Sequence, residues 1–269
     1  MGSFLVLLLI VLLMATAGAQ QSAAQDAKPI QDNSFLIEEA YNQERGVVQH
    51  INSFQLSHSR DWVYTFTQEW PVPDEQHQLS FTLPVLRVEG NSGVGDMALN
   101  YRYQLVGDGD ARVAMAPRFS VLLPIGDHKK ELGAGGVGLQ VNLPVSVVLH
   151  QKLVTHWNAG VTFTPSAKNA DGVKDNTTNF NLGQSVIWLV QPNFNVLFET
   201  VWNSVESIAS RGVKTRSSTL FVNPGIRWAH NFSCGLQIVP GLAFPVGIGP
   251  SSGDWGVFLY LSFEHPFTK

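Results

Sequence analysis

In the run Asp254-Trp-Gly-Val-Phe-Leu-Tyr-Leu-Ser-Phe-Glu-His-Pro-Phe267, alternate residues separate into two faces. One face is Trp255, Val257, Leu259, Leu261, Phe263, His265 and Phe267. The other is Gly256, Phe258, Tyr260, Ser262, Glu264 and Pro266. A period of two over this length predicts a strand. An apolar face with aromatic residues near both ends, on a strand of about ten residues, is the pattern of a membrane-spanning β-barrel. The fold expected is all-β, a transmembrane up-and-down antiparallel barrel. Its last strand must pair with its first, near Val47–Leu56.

The totals agree with that expectation. The chain has 269 residues, with 14% charged and 44% hydrophobic, and a mean hydropathy of +0.04. Low charge without long apolar runs suits strands that are apolar on one side only. A net charge of -4 supplies no basic footprint, so nucleic acid is not an expected partner. The one long apolar run is Phe4–Met14; it is short for a transmembrane helix. Ala17-Gly18-Ala19 follows it, so residues 1–19 are expected to be a signal peptide, although no Lys or Arg precedes the run. Cys234 is the single cysteine and forms neither an internal disulfide nor a CxxC site.

Residues 20–45 are expected to form an N-terminal segment, and 46–269 the barrel. Ser34–Glu44 places Leu36, Ile37, Ala40 and Tyr41 at helical spacing, with Ser34 as cap and Glu38 and Glu39 early; it reads either as a short amphipathic helix at the barrel's mouth or as an ordinary arm. Beyond Gly46 about twelve alternating runs recur, the even number of single-chain bacterial barrels. Tight links at 72–76, 107–110, 150–151, 191–192 and 230–234 alternate with mostly longer ones at 125–135, 165–177, 204–216 and 247–254. That alternation predicts periplasmic turns on one rim and extracellular loops on the other; the links at 58–60 and 89–93 fit it poorly. Trp62, Trp70, Tyr101, Trp157, Trp188, Trp202, Trp228 and Trp255 fall on outward faces, many near strand ends, as membrane-interface girdles do.

Two motifs fail on context. Gly133-Ala-Gly-Gly-Val-Gly138 matches G-x-G-x-x-G, but a charged loop precedes it and a strand follows, so a flexible loop is expected. Gly249-Pro-Ser-Ser-Gly253 matches G-x-S-x-G without the strand-to-helix turn that a nucleophile elbow needs. The eight histidines are scattered and no HExxH occurs, so neither metal ligands nor cofactor are expected, and no catalytic residue is assigned. A Ser–His pair formed across strands is not visible to sequence, which leaves an outer-membrane lipid-modifying enzyme as an alternative.

The inward faces carry the candidate site. The pore-lining residues expected are Arg102, Arg118, Glu199, Arg227, Glu264, Asn142 and Asn158. An arginine on the lipid face costs about 2–4 kcal/mol near the midplane, so Arg102, Arg118 and Arg227 belong inside, with Glu199 and Glu264 placed to offset them. This polar interior reads as a solute path or as a salt-bridged closed lumen of structural role.

Asn33–Glu44 followed by Gly46-Val-Val-Gln-His-Ile51 resembles the start of outer-membrane proteins of the transporter-like, "MetA-pathway of phenol degradation" family. Gly93-Val-Gly-Asp96, Pro124-Ile-Gly-Asp127 and Phe221-Val-Asn-Pro-Gly-Ile226 are similar to its later segments. The resemblance implies a barrel in the bacterial outer membrane, a transport role, and no catalytic residues. The function expected is passive passage of small solutes, with outer-membrane lipid and the barrel assembly machinery as partners. That machinery reads a terminal aromatic residue in proteins of this kind; Phe267 has the right face, with Thr268 and Lys269 beyond it.

Overall fold

The computed structural model describes residues 33–266. The expected signal peptide, residues 20–32 and Phe267–Lys269 lie outside the described residues.

The chain forms a closed antiparallel barrel of twelve strands. These are β1 (Val47–Ser57), β2 (Trp62–Pro71), β3 (His77–Val88), β4 (Met97–Tyr103, preceded by Asn91–Val94), β5 (Arg118–Leu123, preceded by Val113–Met115) and β6 (Gly138–His150). They continue as β7 (Leu153–Lys168), β8 (Lys174–Gln191), β9 (Phe194–Ser210), β10 (Val213–Trp228), β11 (Gln237–Ala243, continued by Val246–Gly247) and β12 (Gly256–Pro266). Each strand pairs with its neighbour in sequence, and β12 closes on β1 from Val47↔Pro266 to Ser57↔Gly256. Closure leaves no unpaired edge in the hydrocarbon layer.

The wall is apolar outside and polar inside. Trp188 and Trp255 are 55% and 57% exposed, and Leu139, Val141, Phe163, Leu182 and Phe198 also point outward. Gln49, Ser120, His156, Ser185, Glu199 and Asn223 are all fully buried on the inner face. Lipid replaces the core of a soluble protein, and alternation sorts the side chains accordingly.

The rims depart from the sequence-based expectation. The predicted long links at 165–177 and 204–216 are largely strand. β7, β8, β9 and β10 run for 16, 18, 17 and 16 residues, against 10–12 in β1–β3. They project past the rest of the wall. Arg211-Gly212 closes β9–β10 as a two-residue turn with Gly212 at φ +73. Glu89-Gly90 does the same after β3 with φ of 50 and 87, the positive pair a type I′ turn requires. Polar alternation on both faces of 204–216 resembles a loop by composition, yet the backbone ladder between neighbours continues through it.

The loop 124–137 is pinned, not flexible. Asp96 accepts hydrogen bonds from Gly126 N (3.0 Å) and Ala134 N (2.7 Å). A Cβ on Gly133 would lie 2.3 Å from Asp96 Oδ1, which accounts for glycine there. β6 follows this glycine-rich run, with no helix after it. In the other motif, Ser251 Oγ accepts from Leu220 N, a structural bond in a short 3-10 turn.

Candidate functional site: a polar lumen crossed by the N-terminal strap

Residues 33–43 lie inside the barrel as a strap, and Glu44 and Arg45 are exposed beyond it. No helix forms there. The helical spacing of Leu36, Ile37, Ala40 and Tyr41 is overridden because wall side chains, not carbonyls four residues back, take the strap's amides. Glu199 Oε1 accepts from Phe35 N (3.0 Å), Leu36 N (2.7 Å) and Ile37 N (3.2 Å). Asn158 Oδ1 accepts from Glu38 N, Ser146 Oγ from Ala40 N, Gln104 Oε1 from Asn42 N and Gln78 Oε1 from Gln43 N. Ser34, read as a helix cap, donates its hydroxyl to Ser185 Oγ at 2.6 Å.

Apolar contacts seat the first part of the strap. The Phe35 ring packs against Phe258 and Tyr260, with centroids 5.3 and 5.1 Å away. It occupies space that side chains at Gly225 and Gly241 would fill, since a Cβ at Gly241 would be 2.5 Å from Phe35 Cζ. Ile37 uses Gly183 in the same way, at 2.1 Å from the position a Cβ would take.

All seven expected site residues point inward, but most serve the strap. Arg102 donates to Asn42 Oδ1 (2.9 Å), Glu39 O (3.2 Å) and Tyr41 O (2.5 Å). Arg118 grips Glu38, from Nε to Oε2 at 2.9 Å and from Nη2 to Oε1 at 2.6 Å. Arg227, 1% exposed, donates to Asn33 O and lies over the Tyr260 ring. Asn142 donates to Glu38 Oε1 and Asn158 to Glu38 O. Glu264 accepts from Gln49 Nε2 at 2.7 Å.

The charge pairing differs from the sequence-based expectation. Arg102 and Arg118 stand directly opposite each other in the β4–β5 register. Their counter-charges come from the strap: Glu38 for Arg118 and Glu39, at 3.8 Å, for Arg102. Glu199 instead binds strap amides and Asn223 Nδ2 (2.6 Å). Like charges facing across a ladder are unfavourable, so the wall is complementary to the strap. Glu38 and Glu39 were legible only as helix-dipole residues, because nothing local indicates what they face.

A cross-strand Ser–His pair does form. Ser146 Oγ lies 2.7 Å from His156 Nδ1. Both are buried inside the lumen beneath Ala40, at 3% and 0% exposure, away from the lipid-facing surface.

Above the strap, towards the rim of the long strands, a cavity of about 270 Å³ remains. Arg118, Asn142 and Asn158 border it, together with Glu38, Asn181 and Asn203.

No protein-family model matches the chain, and no curated protein matches it. Solved structures do. An outer membrane channel, COG4313, from Pseudomonas putida F1 superposes with a TM-score of 0.56 at 13% identity, over 84% of this chain and 97% of that one. The NanC porin superposes with a TM-score of 0.54 at 7% identity, over 82% of this chain and 100% of that one. At such identities the likeness concerns the fold: this chain has the architecture of outer-membrane channel and porin barrels.

Proposed function

We propose that the protein is a channel of the bacterial outer membrane for passive passage of small solutes, with residues 33–43 at its narrowest section. The observation that carries this reading is how the strap is held. Wall side chains bind it, while the ladder from β1 to β12 is complete without it. A polar, water-compatible interior and the cavity above the strap provide the rest of a path. The N-terminal resemblance to the transporter-like "MetA-pathway of phenol degradation" family points the same way, as does the likeness of fold to a channel and a porin. Lipid and the assembly machinery are the partners this reading requires.

The test is single-channel recording in planar bilayers, on protein shown to be folded by heat-modifiable gel mobility. Discrete conductance steps are expected. Folded protein without conductance would overturn the channel and favour a second reading, a structural barrel, which the strap's occupancy of the lumen supports. The lipid-modifying alternative is disfavoured by the burial of Ser146 and His156 beneath the strap, where lipid has no access. Unchanged outer-membrane lipids after incubation with folded protein are the expected outcome.

A further inference from the structure

The cavity above the strap has a composition of its own. Asn142 on β6, Asn181 on β8 and Asn203 on β9 form a row in register, joined across β7 at Gly160. A Cβ at Gly160 would sit 2.4 Å from Asn181 Oδ1 and 2.8 Å from Asn142 Oδ1. Its absence lets Asn181 Nδ2 donate to Asn142 Oδ1 at 3.2 Å. One step towards the outer rim, Gln140 and Thr162 are also paired, at 2.8 Å. Side-chain amides therefore dominate the polar lining.

Formal charge there is already matched. Glu38 and Arg118, the charged groups bordering the cavity, are locked together at 2.6 Å. Hydrogen-bonding capacity is left over: the Asn203 side chain makes no hydrogen bond among the described residues, and Asn181 Oδ1 accepts none. Each free amide offers a donor and an acceptor side by side, which a hydroxyl, itself both, can satisfy. Leu36 and Ile37 add an apolar floor, and the one aromatic residue at the border, Phe180, is exposed with Arg216 over its ring. At about 270 Å³ the cavity lies at the small end of ligand pockets, about 300–1,000 Å³, the size class of a monosaccharide.

We propose that this cavity binds a small, neutral, polyhydroxylated solute of the monosaccharide class through Asn181 and Asn203, on its way into the barrel. The proposal rests on the channel reading for its role in passage. An ion would find the charges matched, and an aromatic solute would find amides and a single ring, Phe180, that Arg216 already covers.

Equilibrium dialysis of the full chain, folded in detergent, against radiolabelled glucose, arabinose and N-acetylglucosamine tests it, with benzoate as the aromatic anion. Saturable binding of at least one sugar, and weaker binding of benzoate, is expected. Asn203→Leu should weaken sugar binding tenfold or more. This variant removes no hydrogen bond from the wall, so its fold is expected to survive, as heat-modifiable mobility reports. Binding of no sugar, tighter binding of benzoate, or undiminished binding by the folded variant would each overturn the proposal. Conductance measured on the same preparation separates the two ideas: conductance without sugar binding removes the site and leaves the channel, and sugar binding without conductance removes the channel and leaves the site.

Discussion

Phe35–Ile37 and Glu38–Gln43 lie end to end in one strap, yet the barrel holds them by different means. The first part is fitted by shape, into hollows at Gly183, Gly225 and Gly241, and its three amides converge on one carboxylate oxygen of Glu199. The second part is held by many partners, each taking one to three bonds: Arg118, Arg102, Asn158, Ser146, Gln104 and Gln78. Convergence makes docking depend on a single residue, because losing the shared acceptor strands three donors at once. Distribution makes docking tolerant, because each loss is local.

The largest effect is therefore expected from Glu199→Ala. Stranding the three amides should cost about 3 kcal/mol of docking, and hydrogen exchange at Phe35, Leu36 and Ile37 should quicken by roughly 100-fold. Unchanged exchange there would contradict the convergent anchor. Gly241→Leu comes next. Forcing a side chain into the space of the Phe35 ring should cost between ~2 and ~3 kcal/mol and make the strap protease-sensitive while heat-modifiable mobility is retained. A protease-resistant strap would mean that Phe35 is not seated there. Arg118→Ala should cost about 2 kcal/mol through its charged hydrogen bonds. Combined with Arg102→Ala, it should shift the reversal potential in a KCl gradient towards cations; an unmoved potential would take both residues off the conducting path. Gln104→Ala should be mildest, about 1 kcal/mol, seen as a roughly fivefold faster exchange at the Asn42 amide alone.

The wall was legible because its pattern is local. Lipid on one side and the lumen on the other impose a period of two, and Met97–Tyr103 or Leu139–Leu149 display it without reference to any other strand. Inward placement of Arg102, Arg118 and Arg227 followed from the same alternation. The strap was not legible. Its helical spacing is real, but its conformation is set by acceptors more than 100 residues away, such as Ser146 and Glu199, and single-sequence periodicity carries no trace of them. The outer rim misled for a related reason: polar residues on both faces of 204–216 look like loop, while their order comes from neighbouring strands.

Gly46, with φ of 75, is where the chain turns from the lumen into β1. The chain passes from strap to wall at that one residue, and no ladder bond ties the strap to a strand. Its partners, by contrast, come from all around the cylinder: Gln49 on β1, Gln78 on β3, Ser146 on β6, Asn158 on β7, Ser185 on β8, Glu199 on β9, Arg227 on β10 and Tyr260 on β12. β1 and β12 are the two ends of the sheet, so only the closed cylinder brings that set together. In assembly, then, docking of the strap follows rounding-up of the sheet, and during refolding protection of the Phe35–Gln43 amides is a clock for the moment the cylinder is complete.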